Sequence, residues 1–120
     1  MFVVDVNTYF GKSAGNRLDH SLGGLVAALD GGQTGLAFTY SLRGVRYLDS
    51  EGNDETLEAA SAHRGLLPAA TLDLRRYLGW EQEVDRCLTA GVRLFRVHDV
   101  AAHREALALA AGITGVPETV

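Results

Sequence analysis

The sequence predicts an α/β fold of parallel βα repeats, a TIM-barrel-like half-barrel of four βα units forming one domain over residues 1–120. Three observations predict it. Aliphatic and β-branched runs alternate with helical segments, one pair roughly every 30 residues, and strict alternation implies a parallel sheet with right-handed crossovers. Glycines close the helical segments at Gly31-Gly32, Gly65, Gly91 and Gly112. Polar residues share one parity towards the strand ends: Asp5, Asn7 and Tyr9; Thr39, Ser41 and Arg43; Thr71 and Asp73; Arg96 and His98. In a doubly wound sheet, helices cover both faces and strands read as continuous apolar runs. In a barrel, the inward parity turns polar near the C-terminal mouth, where sites lie. The pattern therefore favours barrel-type strands, although a closed barrel has eight of them.

Taken in order, the first strand is the run Phe2 to Gly11, β-branched at its start and polar at its tip. A glycine-rich loop, Lys12 to Arg17, leads to a helix capped by Asp19 or Ser21, with Leu22, Leu25, Val26 and Leu29 on one face. The second strand is Leu36–Ser41, followed by a polar loop from Arg43 to Gly52. Asn53 or Asp54 caps a second helix, Glu55–Arg64, acidic in its first turn and basic in its last, as the helix dipole favours. The third strand is Leu66–Leu72, and Pro68 belongs near its start or at a bulge, because proline cannot donate to a ladder. A third helix runs from Trp80 to Ala90 with Val84, Cys87 and Leu88 apolar. The fourth strand is Val92–His98 and the fourth helix Ala101–Ala111, and Ile113 to Val120 has room to begin a fifth strand.

Composition narrows the function. Net charge is −4, and the basic residues, ten arginines and Lys12, are scattered, so no nucleic-acid groove is indicated. No apolar run approaches the roughly 20 residues needed to span a bilayer, and Asp5 interrupts any secretory pattern at the N-terminus. A single cysteine, Cys87, excludes an intramolecular disulfide and reads as core; the expected compartment is cytoplasmic. Gly11-Lys12-Ser13 is not a phosphate loop, since Val6 stands where that motif requires glycine. His20, His63 and His103 form no metal spacing and read as surface residues in helices or caps.

Four stretches carry a resemblance. They are Val4-Asp5-Val6-Asn7-Thr8-Tyr9-Phe10-Gly11; Leu42-Arg43 to Tyr47 with Glu51 to Leu57; Leu66-Leu67-Pro68-Ala69-Ala70-Thr71; and Gly91-Val92-Arg93-Leu94-Phe95-Arg96-Val97-His98. Together they resemble the N-terminal half of the amidohydrolase-related metal-dependent hydrolases, which are TIM barrels. The resemblance implies metal-assisted hydrolysis of C–N or related bonds, or decarboxylation, with a divalent metal such as zinc. The family's two first-strand histidines fall here on Asn7 and Tyr9, poor substitutes for imidazole at a zinc-type centre. Its later metal and catalytic groups lie on strands beyond the fourth. No cofactor is therefore expected for this chain, and the implied hydrolase activity is impaired or incomplete in it.

The candidate catalytic residues are His98, at the family's fourth-strand histidine and suited to proton transfer, and Asp73. Asn7, Tyr9, Arg43 and Arg96 are candidate substrate-binding residues, and no residue is assigned to metal. Asp73 and Arg96 share a parity and can pair with each other or clamp a carboxylate. The expected ligand is a small molecule, with an anion favoured by the arginines. The second functional class is a non-catalytic ligand-binding or assembly module. Four strands leave two open edges, so a homo-oligomer or a partner half-barrel is expected. Both readings need Asn7, Thr71 and His98 to converge on one wet pocket.

Overall fold

The computed structural model describes residues 2–12, 19–32, 34–73, 79–97 and 100–115. Its elements are β1 (Val3–Lys12), β2 (Asp19–His20), α1 (Leu22–Gly31), β3 (Thr34–Ser41), α2 (Leu42–Arg46), α3 (Asp49–Ala62), β4 (Leu66–Thr71), α4 (Trp80–Thr89), β5 (Leu94–Arg96) and α5 (Val100–Thr114). Strands β1, β3, β4 and β5 lie side by side in chain order and all run parallel. β2 pairs antiparallel with the outer edge of β1, among the described residues at Gly11 and Lys12 only. The predicted α/β class, with a four-strand parallel sheet and alternating βα units, is what forms.

Each parallel strand steps to the same side of the one before. Right-handed crossovers then bring the helices to one face, and the packing agrees. Leu22, Leu25, Val26 and Leu29 of α1 pack on Phe10, Ala37 and Leu66 together with Ala59 of α3. Val84 and Leu88 of α4 pack on Leu72, with Phe95, Val97 and Leu107 around them. Cys87 and Val92 close on Ala70. Alternate residues form a separate cluster on the opposite face: Phe38, Tyr40 and Ala69, with Leu42 and Val45 at the start of α2.

Helix α3 differs most from expectation. It begins at Asp49, so Asn53 and Asp54 lie inside it and cap nothing; the N-cap is Leu48, with no side-chain cap bond. Its buried positions are Asp49, Gly52, Asn53, Thr56 and Ala59. That spacing is helical, but three of the five are polar, so no apolar stripe marked the helix. The expected loop between Arg43 and Gly52 instead holds α2 and the first turn of α3. Gly44 and Gly52 let these two helices touch: a Cβ on Gly52 would overlap the nitrogen and Cα of Gly44. Gly52 is thus required for close approach, not for a turn.

Smaller differences have local causes. Ser21 caps α1, accepting from the Gly24 N–H at 3.1 Å, while Asp19 belongs to β2. His20 lies in β2, half-buried, with Tyr9 edge-on at 5.1 Å between ring centroids, so it is not a surface helix or cap residue. Pro68 sits mid-strand with no bulge. It falls where β4 stops pairing with β3 and before pairing with β5 begins at Ala69, a place where a missing donor is tolerated. Ile113 and Thr114 continue α5, so no fifth strand starts there; residues 116–120, with the rest of that expectation, lie outside the described residues. Among the described residues no helix is long and apolar enough to cross a membrane.

Candidate functional site

The single shared parity expected at the strand tips does not form: the plain β3–β4 register sets Thr39 and Ser41 on the opposite face from Thr71 and Arg96, and β1 carries a bulge. Asp5 is in register with Ala37 and Thr8 with Thr39, so three steps on β1 match two on β3. The Asp5 carboxylate holds the bulge by accepting the Asn7 N–H at 3.0 Å. Asp5 therefore sits beside Ala37 and Tyr9 beside Tyr40, positions of opposite parity. Asn7 is exposed on the bulge itself. Thr39 and Ser41 turn towards the helices and are buried. Ser41 is tied to α3: its N–H donates to Thr56 Oγ1 at 2.9 Å, and its hydroxyl donates to Glu55 Oε2 at 2.6 Å.

Thr71 is buried as well. Asn53 reaches from α3 to the end of β4 and behaves like a neighbouring strand. Its amide donates to the Thr71 carbonyl at 2.9 Å, and its Oδ1 accepts the Thr71 N–H at 2.8 Å. The same amide donates to Glu83 Oε1 at 2.8 Å. Glu83 takes two further bonds from the Arg86 fork, from Nη2 at 2.8 Å and Nε at 3.1 Å. Arg86 also binds Asp54, joining α4 to α3. Burial alone would raise the Glu83 pKa, but bonds from Arg86, Asn53 and Cys87, with the Arg86 charge, outweigh it and hold the carboxyl below its ordinary 4.5. Glu83 in turn raises the pKa of Arg86. Burial, then the Glu83 charge, pushes the Cys87 thiol up to about 12, so Cys87 is an inert core residue. This network fastens the sheet to its helices and is not itself open to a ligand.

Among the described residues two clefts lie at the C-terminal ends of the parallel strands, where α/β proteins bind ligands, and α2 stands between them. The first, about 500 Å³, lies above β1 and β3 and is lined by Lys12, Arg43, Tyr47, Glu51 and Glu55. Arg43 contacts Glu51 at 3.2 Å and Glu55 at 3.1 Å across it. The second, about 180 Å³, lies above β4 and β5, with Arg46, Asp49, Thr71, Asp73 and Arg96 on its walls. Its floor is set by the Asp73 N–H, which donates to Asp49 Oδ2 at 3.2 Å. The Arg96 guanidinium lies 5.2 Å from the centre of the Tyr40 ring, within cation–π range. Tyr40 in turn meets Tyr9 at 6.0 Å. Tyr47 lines both clefts.

The sequence-derived candidates therefore divide. Asp73 and Arg96 share the second cleft, Arg43 lines the first, Tyr9 joins the aromatic row behind Arg96, Asn7 stands apart, and His98 lies outside the described residues. Among the described residues the lining is shared between two basins, and the expected convergence on His98 lies outside those residues. Sequence reasoning missed Asp49, Glu55 and Tyr40. Tyr40 lies one residue from the polar parity of the strand tips, and Asp49 falls in the stretch expected as the polar loop Arg43 to Gly52. The donors at the first-strand tip, the neutral amide of Asn7 and the phenol of Tyr9, are poor ligands for a zinc-type metal; Asn7 is exposed on the bulge and the Tyr9 ring packs against His20 and Tyr40. Compared with known proteins, the chain matches no family model, no curated protein and no solved structure.

Proposed function

We propose that the chain is a (βα)-type half-barrel of amidohydrolase-like kind that binds a small polar ligand, with a carboxylate as its anchoring group, at the strand tips. Sequential parallel strand order with α1, α3, α4 and α5 gathered on one face supports the half-barrel. The observation that carries the ligand reading is Arg96, held over Tyr40 on the wall of a cleft that also contains Arg46. A guanidinium fixed against a ring loses little freedom when it takes a carboxylate. Asp49 and Asp73 on the same walls give the cleft balanced charge, which favours a ligand carrying both a carboxylate and a donor group. Titration calorimetry with small amino acids and dicarboxylates tests this. Arg96→Ala is expected to weaken binding by at least about tenfold. Equal binding by the variant would remove Arg96 from the site.

Hydrolysis or decarboxylation is the second reading. It is favoured by Asp73, a carboxylate group beside Arg96 at the tip of β4, the end at which barrel enzymes carry their chemistry. In the same preparation, zinc is expected to bind weakly or not at all, with no turnover of a simple amide or lactone. Stoichiometric zinc with turnover lost in Asp73→Asn would favour the enzyme instead.

A further inference from the structure

Parallel sheets are covered on both faces; here α1, α3, α4 and α5 cover one, and among the described residues the other carries only the short α2 at its C-terminal end, with Leu42 and Val45 against Tyr40 and Ala69. Below α2 that second face is largely apolar among the described residues. Val4, Leu36, Phe38, Leu67 and Leu94 occupy it below Tyr9 and Tyr40, and the first charge among the described residues there is Arg96, at the strand tips. Its two outer strands are the least covered, with Val4 43% and Leu94 37% exposed. Both sheet edges also offer backbone groups. Among the described residues β5 has no outer neighbour, and β1 is paired on its outer side only at Gly11 and Lys12.

We infer that a second copy of this chain covers this face, with the two four-strand sheets closing around a two-fold axis that runs along the strands. That axis lays β5 of each copy beside β1 of the other, parallel, so one operation covers the face and occupies both edges. A helical partner would cover the face and leave the edges open. The strand count also fits, since four from each copy make the eight of a closed barrel. The strand tips of both copies then ring one mouth, and each Arg96 lies near the Tyr9 end of its neighbour. The inference rests on the half-barrel reading and is independent of the ligand.

Light scattering and sedimentation of the full chain over a concentration series test it. A mass of two chains is expected by tens of micromolar, about 50 µM, falling towards one chain on dilution. Leu94→Glu and Val4→Glu change exposed positions, so each is expected to keep its circular dichroism while weakening the dimer by at least about tenfold. Leu109→Glu, on the exposed side of α5, is expected to leave it unchanged. A wild-type monomer at about 200 µM, or a dimer indifferent to both face variants, overturns the inference. Inter-strand nuclear Overhauser contacts separate the two failures. A monomer with the β1-β3-β4-β5 order intact loses only the second copy, whereas a different strand order removes the half-barrel reading itself.

Discussion

Thr39 is fully buried on the helix side of β3, and its hydroxyl has no hydrogen-bond partner among the described residues. A buried hydroxyl without a partner forfeits its hydration and gains nothing in return. Thr39→Val is therefore expected to hold stability level or raise it by up to about 1 kcal/mol in urea unfolding. A loss of that size would show that the hydroxyl is bonded after all. Asn53 has the opposite character, since its side chain meets two backbone groups of Thr71 and the Glu83 carboxylate. The sequence marked Asn53 as a cap residue because asparagine between polar neighbours usually is one. Its real partners lie 18 and 30 residues away, and local pattern carries no trace of them. Asp73 and Arg96 line one cleft because Thr71, two residues before Asp73, pairs with Arg96 in a register that no bulge interrupts. On β1 one does, and Asp5 and Tyr9 part company.

At the scale of elements, the alternation of strand and helix was readable because apolar runs and closing glycines coincide. The helix α4 emerged nearly to the residue, its apolar side formed by Val84, Cys87 and Leu88. Helix α2 and the first turns of α3, Asp49 to Asp54, were not readable, although the rest of α3 was. Their contact depends on missing side chains at Gly44 and Gly52, and the buried side of α3 is polar. Gly52→Ala separates these effects. Helix propensity alone favours alanine by about 1 kcal/mol, but the added methyl must push α2 away from α3 at a cost of about 3 kcal/mol. A lower urea midpoint is expected, with a net loss of about 2 kcal/mol. An unchanged or higher midpoint would mean that α2 moves aside freely.

Across the whole molecule, acid acts through the carboxylate that binds three elements together. Glu83 titrates lower in the folded chain than in the unfolded one, so its contribution is complete above the unfolded value. It disappears as pH falls through the folded value. Thermal midpoints are expected to hold from neutrality down to about pH 5 and then fall, and Glu83→Gln is expected to start from a lower midpoint and lose less on acidification. A variant as acid-sensitive as the parent would place the dependence elsewhere. The partition between the two basins has a separate consequence. With only bare backbone between Gly44 and Gly52, α2 is a wall fixed to its support, not a flap. A molecule longer than either basin has to climb over the Tyr47 ring, so length joins charge in sorting what the strand tips admit.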